Sequence, residues 1–204
     1  MPRMLQGSRD IEGLIYRTRH NKDTYLPFTE QENSLGRQYL SDIGMGDNDK
    51  YICVNIRDSA YKEKFYSKHH PFYKKDWSYQ DFRNSDIESC LLAAEKMADM
   101  GYWVIRIGKY PLKRLESINN KIVDYAFSDK QNDLLDIWLM ANCEFCVSTG
   151  TGLDSVATVF RRPIICVNYL PYGDYMSYAY SITTFKHLFW GDSGNRLTLS
   201  ESII

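Results

Sequence analysis

The sequence lacks any apolar run of the ~18 residues that a helix needs to cross a bilayer, and its first residues, MPRMLQGSRD, contain no signal-peptide core. It also lacks a surplus of positive charge, because 25 Lys and Arg residues are balanced by 26 Asp and Glu residues. General nucleic-acid binding needs such a surplus to neutralise phosphates, so no nucleic-acid partner is expected. The 204 residues are 44% hydrophobic and 25% charged, which is typical of a globular domain. We therefore expect a cytoplasmic protein.

Disulfide bonds are not expected, because the five cysteines are an odd number and no secretory signal accompanies them. Cys143 and Cys146 form a CxxC pair, but no second CxxC and no nearby pair of histidines completes a zinc site. The pair lies in the apolar stretch CEFCV, which predicts a buried strand. These cysteines are therefore predicted to be small core residues, and no metal site is assigned.

Several catalytic motifs are missing too. There is no GxSxG nucleophile elbow, no HExxH metal motif and no P-loop, since the glycine-rich stretch after residue 148 lacks the GKS/T ending. The adjacent His69 and His70 lie in a stretch without clear periodicity. Asp133 and Asp136 lie close to one face of a helix that the pattern predicts to be buried, so packing or capping is expected of them. No catalytic residue is assigned.

The sequence does contain, from about residue 50, an alternation of short apolar runs with helical patterns. Strands are predicted over residues 51–56, 102–107, 121–124, 144–147 and 164–167. Helices are predicted from the capping boxes Thr29/Glu32 and Ser85/Glu88, and over residues 132–141 and 151–160. Continuous apolar strands between such helices are typical of a parallel sheet covered on both faces. The predicted fold class is α/β, a Rossmann-like doubly wound parallel sheet.

Two stretches fall outside this alternation. Residues 57–83 are aromatic and lysine-rich without clear periodicity, which predicts either a functional lid or an excursion that covers a sheet edge. The chain after Tyr169 is predicted to be irregular, until RLTLSESII indicates the start of a helix. We divide the chain into a lead-in and helix, residues 1–46, and a Rossmann-like domain, residues 47–204.

Ligands of an open parallel sheet bind outside the carboxyl ends of its strands, and unusual residues follow two of the predicted strands. Arg57 and Asp58 follow the first strand, where an arginine is suited to bidentate phosphate binding, although a structural ion pair between the two is an alternative. Arg106, Gly108 and Lys109 lie at the end of the second strand, and Gly108 permits a sharp turn close to a ligand. Because Arg106 lies within the strand run, the alternative for it is a side chain that points into a face of the sheet instead of at the crevice. A plain surface turn remains an alternative for this segment.

The strongest signal is the loop between the fourth strand and the next helix. It contains small hydroxyl residues, glycines and one acid: Ser148, Thr149, Gly150, Thr151, Gly152, Asp154 and Ser155. Backbone N–H groups and the helix dipole at such a position predict an anion site. Simple capping by Ser148 or Thr149 is the alternative, and Asp154 is expected to stabilise the helix dipole rather than to act as a base.

Several strings in this order and spacing resemble a family of bacterial glycosyltransferases for surface polysaccharide. They are RDSAY, DFRNSDIES, VIRIGK, DLLDIWLMANCEF and STGTGLDSVA, while SRDIEGL and FTEQENSLG resemble the inter-domain segment of that family. The resemblance covers the chain from about Ser8 onward. More remotely, VNIRD is similar to the strand-end arginine motif of fucosyltransferase-like enzymes.

The resemblance implies a GT-B architecture, of which this chain would be the C-terminal, donor-binding half. Arg57 and the loop from Ser148 to Gly152 would hold the diphosphate of a nucleotide-sugar substrate. Arg106 and Lys109 would assist, and Arg83 and Asn84 would line the cleft. Neither a cofactor nor a metal is implied.

The implied partners are a glycan or lipid-linked acceptor and an acceptor domain, with peripheral contact to the inner membrane left open. Two other functions also stay open. One is a non-catalytic nucleotide-sugar-binding module or truncated remnant, and the other is a different nucleotide-sugar enzyme such as an epimerase.

Overall fold

The computed structural model describes residues 26–69, 76–172 and 181–202. The predicted lead-in before residue 26, which contains SRDIEGL, lies outside the described residues, as does His70. The described part of the chain contains a six-stranded sheet whose paired strands are all parallel, with helices packed on both faces. The predicted α/β class with a doubly wound parallel sheet is confirmed.

The regular elements are numbered in chain order. The strands are β1 (Tyr51–Asn55), β2 (Trp103–Arg106), β3 (Ile122–Val123), β4 (Cys146–Ser148), β5 (Ile164–Tyr169) and β6 (Ser181–Phe185). The α-helices are α1 (Glu30–Asp42), α2 (Ala60–His69), α3 (Leu91–Asp99), α4 (Asp133–Asn142) and α5 (Asp154–Val159). Short 3₁₀ helices cover Ser78–Arg83, Ile87–Cys90 and Tyr125–Phe127. The strands lie in the order β3-β2-β1-β4-β5-β6.

Burial of the central strands follows from helices on both sides of the sheet. Every residue of β1 is buried, which explains why its sequence, YICVN, is apolar almost throughout instead of alternating. Tyr39 of α1, Leu139 of α4 and Ala157 of α5 share the core on one face. Ala94 of α3 belongs to the core on the other face. None of the helices in the described ranges is long and apolar enough to cross a membrane.

Helix α1 packs closely against α4. Gly36 lies so near Trp138 that an added Cβ would be 2.1 Å from the indole ring. Asn33 fixes the same ring, because its Oδ1 accepts a hydrogen bond from the indole Nε1 at 3.1 Å. Helix α1 therefore shares a core with the sheet. The predicted domain boundary at residue 47 stays a prediction.

The capping box at the start of α1 is confirmed. The backbone N of Glu32 donates to Thr29 Oγ1 at 3.3 Å, and the backbone N of Thr29 donates to Glu32 Oε2 at 2.7 Å. Both partners satisfy backbone N–H groups that have no acceptor within the helix.

The second predicted capping box is wrong. The residue that caps this helix is Asp86, whose Oδ1 accepts from the backbone N of Glu88 at 3.1 Å. Ser85 does not cap the helix, because its buried Oγ has no hydrogen-bond partner among the described residues. Its backbone N donates to the carbonyl oxygen of Arg57 at 2.9 Å and ties the segment to the end of β1. A 3₁₀ helix, Ile87–Cys90, then leads into α3.

The long loop predicted over residues 57–83 is also wrong, because α2 and the first 3₁₀ helix occupy most of its described part. Helix α2 has the sequence AYKEKFYSKH, in which apolar and polar residues alternate without a helical face. Its start is fixed by Asp58, whose Oδ1 accepts from the backbone N of Ala60 at 3.0 Å.

The end of the chain differs from the prediction as well. Strand β6, with the sequence SITTF, pairs with β5 at the edge of the sheet, where the irregular prediction missed it. At RLTLSESII the structure shows a capping box between Thr198 and Glu201 and a single turn, in which the backbone N of Ser202 donates to the carbonyl of Thr198 at 3.1 Å.

Cys143 and Cys146 are fully buried free thiols, which confirms their place in the core. The strand prediction was wrong for Cys143, which follows the last residue of α4 and caps it. Its thiol donates to the carbonyl oxygen of Met140 at 3.2 Å. No group of metal-ligating side chains is found among the residues that the structure describes.

Candidate functional site

A cleft of about 570 Å³ opens at the carboxyl ends of the strands. It lies where the strand order reverses, since β1 has β2 on one side and β4 on the other. This switch point is the usual ligand position in an open parallel sheet. Its lining comes from the ends of β1 and β2, the start of α2, the loop after β4 and the start of α4: Asn55, Ile56, Arg57, Asp58, Tyr61, Lys62, Arg106, Ile107, Gly108, Lys109, Pro111, Asp133, Asp136, Thr151, Gly152 and Leu153.

Arg57 is held in the cleft by neutral partners. Its Nε donates to Asn84 Oδ1 at 3.3 Å and its Nη2 donates to Gln80 Oε1 at 3.0 Å. Its backbone N donates to Thr149 Oγ1 at 2.9 Å, which joins the ends of β1 and β4. Partial burial and the nearby charge of Arg83 lower the pKa of the Arg57 guanidinium, while the charge of Asp81 opposes this shift. A guanidinium in such surroundings gains stability from a bound anion.

Arg83 lies beside the same switch point, but neither Arg83 nor Asn84 is among the residues that line the cleft, where the resemblance implied both. Its Nη2 donates to the carbonyl oxygen of Gly150 at 3.3 Å, while its buried Nε has no hydrogen-bond partner in the described part of the chain. Neither Arg57 nor Arg83 forms an ion pair with a carboxylate within residues 26–64, 76–172 and 181–202. The two guanidiniums therefore carry positive charge that the described residues leave uncompensated by direct ion pairing.

Lys186, which follows β6, holds the segment that carries Arg83. Its Nζ donates to the carbonyl oxygens of Phe82 at 3.1 Å and Asn84 at 2.7 Å, one on each side of the arginine. These two bonds fix the backbone from which the Arg83 side chain reaches Gly150.

The loop after β4 is closed by hydrogen bonds of its own. The buried carboxylate of Asp154 accepts from Ser148 Oγ at 2.5 Å and from the backbone N of Thr151 at 2.8 Å. The backbone N of Gly150 donates to Ser148 Oγ at 3.2 Å, and that of Leu153 donates to Thr151 Oγ1 at 3.2 Å. Burial is the largest influence on the Asp154 carboxyl and raises its pKa.

This closure corrects the prediction that the loop N–H groups are free for an anion. Ser148, Thr149 and Asp154 are almost completely buried and serve to fix the loop. Helix α5 is also only six residues long, which limits the dipole at its start. Gly152 is the exposed glycine of this loop, and an added Cβ there would meet no atom within 4 Å. Ser155 is exposed too, but it does not line the cleft.

Gly150 is required by the local backbone. Its φ of +83° lies in the left-handed region, and a Cβ there would come within 2.8 Å of the Tyr169 ring. Its carbonyl is the acceptor for Arg83, so the turn presents an oxygen toward the guanidinium.

Asp58 takes a structural position. Its Oδ1 accepts from the backbone N of Ala60, and its Oδ2 accepts from the backbone N of Leu112 at 2.8 Å. The alternative of an ion pair with Arg57 is wrong, because no Asp58 oxygen lies within ion-pair distance of the Arg57 guanidinium. Asp58 links the start of α2 to the segment after β2.

Arg106 is placed differently from the prediction that it assists with phosphate. Its side chain is 1% exposed, and its Nη1 forms an ion pair with Asp124 Oδ1 at 2.9 Å. The second oxygen of Asp124 accepts from the backbone N of Leu115 at 2.8 Å. Although Arg106 contributes to the cleft floor, its charge is already neutralised by this buried pair.

Gly108 and Lys109 meet the cleft as predicted at the end of β2. Gly108 has a φ of +136°, and its carbonyl accepts from Gln131 Nε2 at 2.8 Å. Lys109 Nζ forms an ion pair with Asp133 Oδ1 at 2.6 Å, and this bond raises the pKa of the lysine. Donor binding by these residues stays a prediction.

Two cleft residues were not assigned to a ligand site by the sequence patterns. Asn55, the last residue of β1, donates from Nδ2 to Thr151 Oγ1 and joins two walls of the cleft. Its signal was a polar residue at the end of an otherwise apolar strand. Asp136 was expected to pack or cap, but it lines the cleft, is 8% exposed, and its Oδ1 has no hydrogen-bond partner among the described residues.

The pKa of Asp136 is raised to about 6, mainly by burial. Asp133 raises it further, while Tyr125, Gln131 and Lys109 oppose the shift. The folded protein therefore holds the Asp136 proton more tightly than the unfolded chain, in which an aspartate has a pKa of ~3.9.

Stability is expected to fall as the pH rises because of Asp136. Its contribution is fully present below about pH 4 and is lost as the pH rises through about 6. Between pH 4 and 7, ionisation of Asp136 should lower the unfolding free energy of the wild type by on the order of 2–3 kcal/mol. The Asp136→Asn variant has no carboxyl at this position, so its unfolding free energy should not show this decrease. Urea unfolding across this range measures the difference. The exposed Asp129→Asn variant serves as the control and should keep the wild-type slope.

The chain matches no protein-family model. It also matches no curated protein sequence. Two solved structures are similar to it. The first is the glycosyl transferase family 9 protein from Veillonella parvula DSM 2008, with a TM-score of 0.52 and 15% identity over 78% of this chain. The second is the E. coli ADP-heptose LPS heptosyltransferase II, with a TM-score of 0.52 and 16% identity over 87% of this chain.

The matched region spans 42% of the first of these structures and 48% of the second, so the chain corresponds to less than half of each. Neither of these structures supports the resemblance to fucosyltransferase-like enzymes, which stays a prediction. At this low identity the similarity shows the fold alone: the chain shares a Rossmann-like α/β fold with part of each of these two structures.

Proposed function

We propose that this chain is the donor-binding half of a glycosyltransferase that transfers a sugar from a nucleotide-sugar to a bacterial surface glycan or lipopolysaccharide acceptor. The observation that carries the proposal is the pair Arg57 and Arg83 at the switch point of the sheet. Their guanidiniums are held by neutral oxygens and paired with no carboxylate in the described ranges. A diphosphate supplies the negative charge that such a pair lacks.

The chemistry of sugar transfer suits this arrangement. When the bond between the anomeric carbon and the diphosphate breaks, negative charge develops on the leaving nucleoside diphosphate. Fixed positive groups that face this position stabilise the transition state more than the ground state. Arg57 and Arg83 take this role in the proposal, and the exposed backbone at Gly152 lies beside the diphosphate.

The buried loop residues position these groups. Asp154 and Ser148 hold the turn that presents Gly150 to Arg83, while Thr149 holds the backbone N of Arg57. Their effect on donor binding is therefore indirect, through the geometry of the two arginines.

The proposal also includes the partners that bind and supply the sugar acceptor. An acceptor domain, a glycan or lipid-linked acceptor, and a cytoplasmic site with peripheral contact to the inner membrane complete it. No cofactor is proposed, and the nucleotide-sugar is the substrate.

The first test is binding by arginine variants. Arg57→Gln should weaken the binding of nucleoside diphosphates and nucleotide-sugars by about 10- to 100-fold, because one charge-assisted hydrogen bond contributes about 1.5–3 kcal/mol. Titration calorimetry against GDP, ADP, CDP, UDP and dTDP measures the change. Arg83→Gln should have a similar effect.

Arg37→Gln is the matched control, since Arg37 lies exposed on α1 away from the cleft and pairs with Glu30. Its affinity should equal that of the wild type. If no diphosphate binds the wild type, or if Arg57→Gln and Arg83→Gln bind as tightly as Arg37→Gln, the proposed site is wrong.

A further inference from the structure

Three carboxyl groups of the described residues line the cleft, and two of them have partners that stabilise a negative charge. Asp58 accepts from two backbone N–H groups, that of Ala60 at 3.0 Å and that of Leu112 at 2.8 Å. Asp133 forms an ion pair with Lys109 Nζ at 2.6 Å. Both kinds of contact favour the charged form of a carboxyl.

The third carboxyl, that of Asp136, has no contact of either kind. It is 8% exposed, its Oδ1 has no hydrogen-bond partner, and it forms no ion pair in the part of the chain that the structure describes. Burial without a paired cation disfavours the charged form, which agrees with the raised pKa of this group. Asp136 is therefore the cleft carboxyl whose charged form the structure supports least.

The groups that face Asp136 come from the end of β2, from the 3₁₀ helix after β3, from the start of α4 and from β1: Lys109, Tyr125, Gln131, Asp133 and Cys53. Burial raises the pKa of Tyr125 and of Cys53, and the ion pair with Asp133 raises that of Lys109. These three groups keep their charge state between pH 5 and pH 7.5. A change of charge at Asp136 is therefore not cancelled by their titration.

An anion bound in the cleft would bring negative charge to the Asp136 carboxylate. Arg57 and Asp136 line the same cleft of about 570 Å³, and Arg57 has no carboxylate partner within the described ranges. A second negative charge in one site disfavours ionisation of a carboxyl, here by about one pKa unit. The carboxylate relieves the repulsion by taking a proton from the solvent buffer, which leaves a neutral carboxylic acid beside the bound anion.

We propose that Asp136 couples donor binding to proton uptake: a diphosphate bound at Arg57 draws a proton onto the Asp136 carboxyl, so donor binding tightens as the pH falls. This inference rests on the proposed nucleotide-sugar function and adds a form of regulation to the same site. The coupling is reciprocal, because protonation of Asp136 favours donor binding by the same factor by which donor binding favours protonation.

The test measures the affinity of the 204-residue chain for GDP-mannose, ADP-glucose, UDP-glucose and dTDP-glucose by titration calorimetry at pH 5 and pH 7.5. Nucleotide-sugars are used because each of their phosphates carries two substituents and stays ionised, whereas the terminal phosphate of a nucleoside diphosphate titrates near pH ~6. The most tightly bound of the four should bind the wild type about five- to tenfold more tightly at pH 5 than at pH 7.5. This ratio follows when a pKa of about 6 rises by about one unit on binding.

Proton uptake is measured in the wild type itself at pH 6.5. The heats of binding in MES and in imidazole differ by the number of protons taken up, because the two buffers have different ionisation enthalpies. About half a proton should be taken up for each nucleotide-sugar bound.

Asp136→Asn removes the carboxyl and keeps the size of the side chain. At pH 7.5 it should bind the nucleotide-sugar about fivefold or more tightly than the wild type, because it carries no charge that repels the diphosphate. Its affinity should change by less than about twofold between the two pH values. A merely structural role of Asp136 predicts a loss of affinity instead. Asp129→Asn makes the same chemical change on an exposed turn outside the cleft and should keep the wild-type pH dependence.

Equal affinity of the wild type at the two pH values overturns the coupling while the proposed function stands. A pH dependence in Asp136→Asn as large as that of the wild type has the same consequence, as does a failure of this variant to gain affinity at pH 7.5. If none of the four nucleotide-sugars binds the wild type at either pH, the proposed function is wrong, and the coupling with it.

Discussion

Replacing Arg106 with methionine should lower the free energy of unfolding by about 3–5 kcal/mol, the loss expected when one partner of a buried ion pair is removed. Methionine fills much of the space of the arginine stem but leaves Asp124 without its cation. That carboxylate is only 11% exposed, so water cannot replace the 2.9 Å contact with Arg106. The charge on Asp124 would then be largely buried without a cation beside it.

Urea unfolding of Arg106→Met at pH 7 measures this loss. The double variant Arg106→Met/Asp124→Asn should recover most of it, because an asparagine carries no charge and its carbonyl can still accept from the backbone N of Leu115. The matched control is Lys113→Met, whose ion pairs with Asp86 and Glu88 are about half exposed. It should lose less than about 1 kcal/mol. A loss in Arg106→Met no larger than in Lys113→Met would contradict the prediction.

Replacing Gly36 with alanine should destabilise the protein by about 3 kcal/mol, although alanine is the better helix former by about 1 kcal/mol. The added methyl would lie 2.1–2.4 Å from three ring atoms of Trp138. The ring has little freedom to move, because it is buried and its Nε1 is bonded to Asn33. Helix α1 would therefore have to shift away from α4.

Thermal unfolding should show a decrease of about 6–12 °C in Tm for Gly36→Ala, given ~2–4 °C per kcal/mol for a chain of this size. Ser34→Ala is the control on the same helix, since Ser34 is exposed and the substitution should be neutral or slightly stabilising. A Tm for Gly36→Ala equal to that of Ser34→Ala would show that α1 does not pack against Trp138 as described.

The sequence predicted the elements whose burial is uniform. β1 and β2 are continuous apolar runs because helices cover both of their faces, and this pattern needs no knowledge of the neighbours. The sequence patterns did not predict β6, because SITTF is a half-exposed edge strand whose conformation depends on pairing with β5. Helix α2 was not predicted either, because its sequence has no amphipathic face. Its start is fixed by Asp58, a side chain that lies outside the helix.

The sequence predicted that several candidate residues come together, but it did not predict how they are bonded. The loop after β4 and the arginine after β1 do meet at one cleft, because parallel strands place their carboxyl ends at one edge. The sequence could not show that Asp154 takes the N–H of Thr151, since this bond depends on the turn of the loop. It also could not show that Asp136 faces the cleft, because an almost wholly apolar helix gives no sign of which end meets a ligand.

The two bonds of Lys186 have a consequence for the entropy of ligand capture. An arginine that is free to rotate loses ~2 kcal/mol of rotamer freedom when an anion fixes it. Here the backbone on both sides of Arg83 is anchored to the lysine, and the guanidinium is anchored to Gly150, before any anion arrives. In the proposed function, Lys186 at the end of the edge strand β6 thus positions Arg83 before an anion binds. A substitution that disrupts β6 is therefore expected to weaken anion binding beside the switch point.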